Sequence, residues 1–441
     1  MKDDLALFGG DPIKKDEYQI HTTMIDSKEE EAVLKVLRSQ HLSGFSARPG
    51  NRFLGGENVQ LFEQSLAKAF SSKYSVTFNS ATSGLHAAVY AAGVVAGDEV
   101  ITSPFTMSAT ASAIAMCNAT PVFCDIEEET YGIDPKKVEV LISENTKALL
   151  AVNIFGHGAS LNQLRKIADK HNLVLIEDSA QAPLVEYKSK LCGRHGDIGI
   201  FSLNYHKGIQ TGEGGFAISD NKDFIDRMRF LRNHGEVVIG PAGRLDMIDI
   251  IGYNYRMTEI EAAIGNIQLT RLRQLNEIRQ SLANNLSSLL TEFDFLSEAT
   301  VKDKCQHGFY LYPIKYSKDK IALSRETFTK AMQAEGLSIN YGYVLPIHLQ
   351  PIYQFHMERM YQDYLGYKIE ALDADGKPDC FFSPSVDYRL GTCPIAEKMH
   401  FEEILTTDIC KYPNQEKDIN DFYLGVKKIL RHLDKLQSIE D

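Results

Sequence analysis

Residues 198–219 read IGIFSLNYHKGIQTGEGGFAIS, two apolar runs joined by a glycine-rich turn that holds one lysine. The runs Ile198–Leu203 and Gly215–Ser219 have the composition of strands covered on both faces. Glycine-rich nucleotide loops open a helix, whereas this turn leads into a strand, which excludes the dinucleotide and P-loop interpretations. Lys207 thus lies between two strands, where its amine can form an imine with a carbonyl group, although most lysines are simply solvated.

Five further apolar runs precede this stretch, and amphipathic segments separate them. The predicted strands are Tyr74–Asn79, Glu99–Ser103, Pro121–Cys124, Lys147–Val152 and Leu173–Asp178. The predicted helices include Thr82–Val95, Ala109–Met116 and Leu161–His171. This alternation predicts an α/β fold with a mostly parallel seven-stranded sheet and helices on both faces. Ligands of such sheets bind at the carboxyl ends of the strands.

The C-terminal part of the chain has a different pattern. Thr258–Leu289 reads as one long helix, and a smaller α+β region follows it. Residues 350–392, rich in Tyr, Asp and Gly, look like an excursion from that region. We therefore predict an N-terminal arm over 1–40, a large domain over 41–295 and a small C-terminal domain over 296–441.

Composition excludes several classes of protein. The 441 residues carry 47 Lys and Arg against 59 Asp and Glu, a formal net charge of −12, whereas a nucleic-acid-binding surface needs a basic stripe. No segment approaches the roughly 20 apolar residues of a membrane span, and the acidic N-terminus lacks a signal-peptide run. The seven cysteines are scattered without a CxxC pair, which indicates neither disulfides nor a metal site. We expect a cytoplasmic protein that binds no nucleic acid, membrane or metal.

Three polar segments lie where ligands would bind. NSATSGLH (79–86) places small hydroxyl residues at a helix start, which suits a phosphate group but equally an ordinary helix cap. DSAQ (178–181) follows a buried strand with an acid that suits a cationic ring nitrogen or caps the next segment. GYNYRMTE (252–259) leads into the long helix and is, by itself, a capping segment.

In combination these segments resemble the DegT/StrS-type sugar aminotransferases, which belong to the pyridoxal-phosphate-dependent aspartate aminotransferase superfamily. A phosphate seat, an acid and a lysine 29 positions further on (207 − 178), all at strand ends, are what a pyridoxal phosphate site needs. The resemblance covers nearly the whole chain apart from 350–392, and it implies fold type I with the cofactor in the large domain. Weaker matching segments are Leu5–Gly10 and Arg232–Gly235.

The resemblance implies roles for single residues. Lys207 matches the lysine that carries the cofactor as an internal aldimine and later moves the proton, and Asp178 matches the acid that pairs with the pyridinium nitrogen. Asn254 matches a phosphate contact supplied by the neighbouring subunit, which implies a homodimer with shared active sites. The implied cofactor-binding residues are Thr82, Ser83, Met107, Asp178, Gln181, Ser202, Lys207 and Asn254.

The implied reaction is a ping-pong transamination in amino sugar and polysaccharide biosynthesis. An amino acid, usually L-glutamate, converts the cofactor to pyridoxamine phosphate, which then aminates the ketone of a sugar, most often a nucleotide-linked one. His206, Tyr343 and His348 are candidates for substrate contacts. Ordinary strand and turn residues of the C-terminal domain are the competing interpretation of the last two.

The sequence departs from the family at the cofactor ring. Met107 stands where the family usually has an aromatic residue that stacks on the ring; a thioether covers a ring less rigidly, and Phe105 is an alternative for that role. Ala81 replaces a usual glycine. Asn153 and His157 stand where His and Gln are commoner, so we expect unusual substrate contacts there.

Three alternative functions remain open from the sequence. A sugar dehydratase of the same family typically has histidine in place of the lysine, and here His206 adjoins Lys207. A non-catalytic regulatory protein on the same scaffold would not need the lysine or Asp178. An enzyme of fold type I that acts on amino acids would clamp the carboxylate with an arginine of the C-terminal domain, for which Arg389 is the candidate.

Overall fold

The computed structural model describes residues 4–16, 24–354 and 386–440. Most of the predicted excursion over 350–392 therefore lies outside the described residues. Within these ranges no helix is both long and apolar enough to cross a lipid bilayer.

A seven-stranded sheet forms the centre of the large domain. Its spatial order is β1-β9-β8-β5-β4-β2-β3, and β9 runs antiparallel to both neighbours whereas the other strands run parallel to one another. A short hairpin of β6 and β7 lies outside this sheet. The strands are β1 (Tyr74–Phe78), β2 (Glu99–Thr102), β3 (Thr120–Phe123), β4 (Thr146–Val152), β5 (Val174–Asp178), β6 (Glu186–Tyr187), β7 (Lys190–Leu191), β8 (Ile198–Ser202) and β9 (Gly215–Ser219). The predicted mostly parallel sheet with seven strands is confirmed.

Helices cover both faces of the sheet. Neighbouring residues of a strand point to opposite sides, so a strand of continuous apolar residues has two apolar faces to bury. Leu149 and Leu175 pack in one apolar cluster, whereas the adjacent Leu150 and Ile176 pack in the other. The first nine helices are α1 (Ser27–Ser39), α2 (Glu57–Ala69), α3 (Ala81–Ala91), α4 (Ala109–Ala115), α5 (Pro135–Leu141), α6 (Leu161–His171), α7 (Lys222–Arg232), α8 (Gly235–Val238) and α9 (Glu259–Leu290).

The C-terminal lobe has a four-stranded antiparallel sheet in the order β10-β11-β13-β12. Helix α9 joins the two parts, since Leu272 packs in the core of the large domain and Leu286 in that of the lobe. The N-terminal segment also packs on the lobe: Leu5 is buried in its core, and the Ala6 N–H donates to Glu335 at 2.8 Å. The remaining elements are β10 (Leu296–Ser297), β11 (Tyr312–Tyr316), β12 (Asn340–Tyr341), β13 (Ile404–Thr407), α10 (Lys318–Ile321), α11 (Arg325–Ala334), α12 (Pro394–Lys398), α13 (Glu416–Arg431) and α14 (Leu433–Gln437).

Candidate active site

The turn between β8 and β9 holds Lys207 at the carboxyl end of β8. Backbone hydrogen bonds close this turn: the Leu203 N–H donates to the Gly214 carbonyl at 2.9 Å, and the Thr211 N–H donates to the Leu203 carbonyl at 2.9 Å. Burial lowers the pKa of Lys207 to about 8, and the negative charge of Asp178 opposes that shift. A larger share of neutral amine near physiological pH makes Lys207 a competent nucleophile and base.

Asp178 ends β5, the strand next to β8. Its side chain is buried, and it accepts hydrogen bonds from the Ala180 N–H at 3.1 Å and from the Thr110 hydroxyl at 2.9 Å. Burial raises the pKa of this carboxyl group despite these two donors. Both donors are neutral, so a cationic group in the cleft would stabilise the carboxylate further. A protonated pyridine nitrogen is such a group, and the site fits it.

The start of α3 provides a place for a phosphate group. Ser80 caps the helix, accepting from the Ser83 N–H at 3.1 Å, and the Ser83 hydroxyl donates to Asn79 at 2.7 Å. The β9 backbone comes so close that a Cβ on Gly215 would lie 2.4 Å from the Ala81 nitrogen. The glycine therefore lets the helix start and the strand end meet, with Thr82 in the first turn. A helix start open to the cleft favours an anion.

Gln181 and Tyr343 form a second polar pair beside the cleft. The Gln181 amide donates to the Tyr343 hydroxyl at 3.1 Å, and its carbonyl oxygen accepts from the Phe155 N–H at 2.6 Å. Burial raises the pKa of Tyr343 to about 12, so its hydroxyl stays protonated at neutral pH. The structure thus brings the predicted residues Gln181 and Tyr343 together across the two lobes.

The segment before α9 is attached to the phosphate seat. The Asn79 N–H donates to the Tyr255 carbonyl at 2.9 Å. Asn254 itself is exposed, and its side-chain oxygen accepts from Arg256 at 2.7 Å. Ser202 is buried at the end of β8, where its hydroxyl accepts from the Asn204 N–H at 3.3 Å.

The model of the DegT/DnrJ/EryC1/StrS aminotransferase family matches residues 26–364. This chain belongs to that family. It is similar to the UDP-4-amino-4,6-dideoxy-N-acetyl-β-L-altrosamine transaminase of Campylobacter jejuni, with 32% identity over 354 residues, 80% of this chain and 87% of that protein. It is also similar to the L-glutamine:2-deoxy-scyllo-inosose aminotransferase of Streptoalloteichus tenebrarius, with 32% identity over 367 residues, 81% and 82% of the two chains.

The fold also matches solved structures. Helicobacter pylori PseC, an aminotransferase involved in the biosynthesis of pseudoaminic acid, superposes with a TM-score of 0.75 at 24% identity, covering 94% of this chain and all of that one. The predicted fold type I is confirmed. The predictions of a pyridoxal-phosphate-dependent aminotransferase and of its cofactor are confirmed by the membership of the family. The substrate and the roles of single residues remain predictions.

The aromatic contacts around Phe105 bear on whether Met107 or Phe105 covers the cofactor ring. Met107 is 56% exposed at the beginning of the α4 region. Phe105 is fully buried, with its ring centroid 5.6 Å from Tyr343 and 6.1 Å from both Tyr131 and Phe155. This aromatic cluster holds Phe105 in the core, which favours Met107 over Phe105 as the residue beside the cofactor ring. The stacking role of Met107 stays a prediction.

Two further expectations are corrected by the structure. Asn153 is buried and donates to Glu177 at 3.1 Å and to the Ser179 hydroxyl at 2.8 Å. His157 is buried too: its Nε2 accepts from the Lys302 N–H at 3.2 Å, and its Nδ1 contacts the Gly158 carbonyl at 2.8 Å. These side chains serve the protein interior, so we expect no substrate contacts from them.

The structure also shows the surroundings of three further candidates for substrate contacts: His348, Arg389 and His206. His348 is completely buried, with its Nε2 at 2.8 Å from Glu397, so we expect no substrate contact from it. Arg389 is exposed, and its guanidinium group pairs with Asp387 at 2.6 Å. His206 is half-buried, and burial together with the charges of two nearby lysines lowers its pKa to about 4.

Tyr310 and Lys411 lie beside Lys207 and were not predicted from the sequence. The Nζ of Lys207 lies 4.3 Å from the centroid of the Tyr310 ring, and the Nζ of Lys411 lies 4.8 Å from the same centroid. Backbone bonds seat Tyr310, since its N–H donates to the Phe155 carbonyl at 2.8 Å. No motif surrounds either residue, and only the meeting of the two lobes shows that they are neighbours.

Proposed function

We propose that this aminotransferase transfers the amino group of L-glutamate to the ketone of a nucleotide-linked sugar. Glutamate becomes 2-oxoglutarate, and the sugar ketone becomes an amine, so that atoms and electrons balance without an external oxidant. The name of the Campylobacter relative describes a UDP-linked amino sugar, which supports the sugar class. The name of the Streptoalloteichus relative describes a cyclitol ketone, which makes a cyclitol the second candidate for the acceptor.

The observation that carries this proposal is the pair of Lys207 and Asp178. The half-buried Lys207, with the pKa of its amine lowered to about 8, and the buried carboxylate of Asp178 act on each other at the ends of adjacent strands. A dehydratase of this family would not need the lysine, and a regulatory protein would need neither group. Their retention in one buried cleft favours aminotransfer over both.

Each residue has a defined task in the proposed reaction. Pyridoxal phosphate supplies an electrophilic aldehyde and a ring that withdraws electrons from the substrate carbon. Asp178 would hold the proton on the ring nitrogen. Lys207 would move a proton from the donor carbon to the cofactor in the first half-reaction and from the cofactor to the acceptor carbon in the second. Gln181 would contact the phenolic oxygen. The phosphate would be held by the start of α3 with Thr82 and Ser83, by Ser202, and by the partner subunit's Asn254.

We further propose a homodimer that shares its active sites. A patch of large apolar side chains lies close to Asn254 in the chain: Leu245 is 68% exposed, Ile248 is 73% exposed and Ile251 is 70% exposed. Exposed apolar patches of this kind are typical of protein–protein interfaces. A second copy that covers this patch would also bring the exposed Asn254 towards a neighbouring site. The cytoplasmic location remains a prediction.

Absorption spectra of wild type, Lys207→Ala and His206→Ala test the proposal. We expect a visible-edge cofactor band in wild type and in His206→Ala that bleaches with L-glutamate, and no such band in Lys207→Ala. Pyridoxamine-loaded wild type should then aminate a nucleotide-linked keto-sugar, with the amine detected by mass spectrometry. A wild-type protein without the band would contradict the aminotransferase mechanism, and turnover of cyclitol ketones alone would replace the sugar by a cyclitol.

A further inference from the structure

A narrow cavity lies beside the turn that carries Lys207. Residues of both lobes line it, among them Gln181, His206, Arg279, Tyr310 and Lys411. Arg279 comes from α9 and donates to the Gly208 carbonyl at 3.3 Å, which ties α9 to the lysine turn. The lining therefore carries several basic side chains, His206, Arg279 and Lys411, which favour an anion at this edge of the cleft.

Lys411 is the least expected member of this lining. It lies in the loop between β13 and α13, it is 6% exposed, and its Nζ contacts the face of the Tyr310 ring. No carboxylate comes within 4.0 Å of this amine in the part of the chain that the structure describes. The nearest acid in its loop, Asp408, accepts instead from the Ser338 hydroxyl at 2.6 Å. A buried ammonium group without a close counter-ion is costly, so a bound anion would stabilise it.

The position of Lys411 indicates which anion this is. Its amine and that of Lys207 contact the same aromatic ring, at 4.8 Å and 4.3 Å from the centroid. An anion on Lys411 would thus lie beside the amine that exchanges with the incoming amino group. An α-amino acid carries its carboxylate next to that amino group, whereas the diphosphate of a nucleotide-linked sugar is separated from the reacting ketone by the sugar ring.

We propose that Lys411 binds the carboxylate of the amino acid donor and so determines donor specificity. This inference rests on the proposed function. In enzymes of fold type I that act on amino acids, an arginine of the C-terminal domain binds the carboxylate. Lys411 would replace that arginine here, because Arg389 is exposed and paired with Asp387. Lysine offers a point charge rather than a bidentate fork, which suits the narrow cavity. The sugar half of the reaction does not use this contact.

The test is calorimetric binding of glutarate, a dicarboxylate without an amino group, to the holoenzyme. Lys411→Met should weaken glutarate binding about 10- to 100-fold, as for the loss of a charge-assisted hydrogen bond, whereas Lys411→Arg should stay within about fivefold of wild type. Lys427→Met is the matched control, an exposed lysine of the same lobe. In single-turnover experiments, Lys411→Met should raise the glutamate concentration for half-maximal rate and leave the sugar half-reaction unchanged.

The pH dependence of glutarate binding gives a second, independent readout. Burial lowers the pKa of Lys411 to about 8, so wild type should lose its affinity as the pH rises through that value and the ammonium group loses its proton. In the holoenzyme the proposed link of Lys207 to the cofactor removes its free amine, so Lys411→Arg should show a flat profile, because arginine stays charged. The groups that face Lys411 are the same in both proteins, which isolates its contribution: Lys207, His206, Arg279, Tyr310, Asp408 and Cys410.

Three outcomes are informative. Unchanged glutarate affinity in Lys411→Met, or no glutarate binding by wild type, overturns the inference even if wild type aminates sugars. Loss of the cofactor band in wild type overturns the proposed function instead. If Lys411→Met does not fold, as shown by its melting temperature, then Lys411→Arg decides: a pH profile that still falls near pH 8 contradicts the role of Lys411.

Discussion

Two regions of the molecule meet at Tyr310: the turn that joins β8 to β9, and the C-terminal lobe. They present their candidate functional residues in different ways. Lys207 comes from a contiguous strand–turn–strand segment, and Asp178 ends the next strand of the sheet. The lobe contributes Tyr310, Tyr343 and Lys411 from three separate loops. The proposed cofactor side is thus built on the edge of one sheet. The proposed donor side depends on how the two lobes pack.

The largest effect should come from Lys207. Removing this amine in Lys207→Ala takes away both the covalent link to the cofactor and the proton carrier, so we expect turnover to fall by roughly 10³-fold or more. His206→Ala, one position away, should keep turnover within about tenfold of wild type. The measurement is steady-state turnover of L-glutamate and the sugar acceptor. If His206→Ala lost its turnover and Lys207→Ala kept it, His206 rather than Lys207 would be the catalytic residue.

Asp178→Asn should have the next largest effect. An amide still accepts from Thr110 but no longer holds a proton on the ring nitrogen, so we expect the glutamate half-reaction to slow about 100-fold. Stopped-flow absorbance of the cofactor measures that rate. Asp246→Asn, at an exposed acid, is the matched control. A half-reaction at the wild-type rate in Asp178→Asn would remove this residue from the cofactor side.

Gly215→Ala probes the contact between β9 and the start of α3. The added Cβ would lie 2.4 Å from the Ala81 nitrogen, so strand and helix must separate, at a cost of about 1–3 kcal/mol in the free energy of unfolding. Cofactor affinity should fall as well, because the phosphate seat shifts. Gly240→Ala, where a Cβ meets nothing within 4 Å, is the control. Melting temperatures and cofactor titration measure both effects, and a Gly215→Ala protein equal to the control would show that this contact is looser than described.

Met107→Phe should have the smallest effect and the opposite sign. Met107 is 56% exposed where the family usually has an aromatic residue, and a ring there should stack on the cofactor with about 0.5–1.5 kcal/mol of added interaction. Cofactor affinity should therefore rise about two- to tenfold, as measured by equilibrium dialysis. Leu42→Phe, at another exposed apolar position, should leave it unchanged. Weaker cofactor binding in Met107→Phe would show that the thioether fits this cleft better than a ring.

The sequence allowed the large domain to be predicted because each buried strand leaves an apolar run of its own. Gly215–Ser219 and Leu161–His171 have the predicted bounds, and the other strand ends shift by only a residue or two. The proposed cofactor residues were chosen from ordered motifs at strand ends, and their roles stay predictions. Lys411 could not be found in this way, since a lone lysine in a loop carries no pattern. The burial of Phe105, Asn153 and His157 could not be predicted, because residue type alone does not show whether a side chain faces the cleft or the core.

The most direct test of the account is to locate the lysine that holds the cofactor. Borohydride reduction of the holoenzyme fixes pyridoxal phosphate to that lysine, and mass spectrometry of the digested protein identifies the modified peptide. Two lysines with pKa values lowered to about 8 contact the Tyr310 ring, which makes the experiment discriminating. We predict the modification on Lys207 alone. Modification of Lys411, or of neither lysine, would contradict the active site described above.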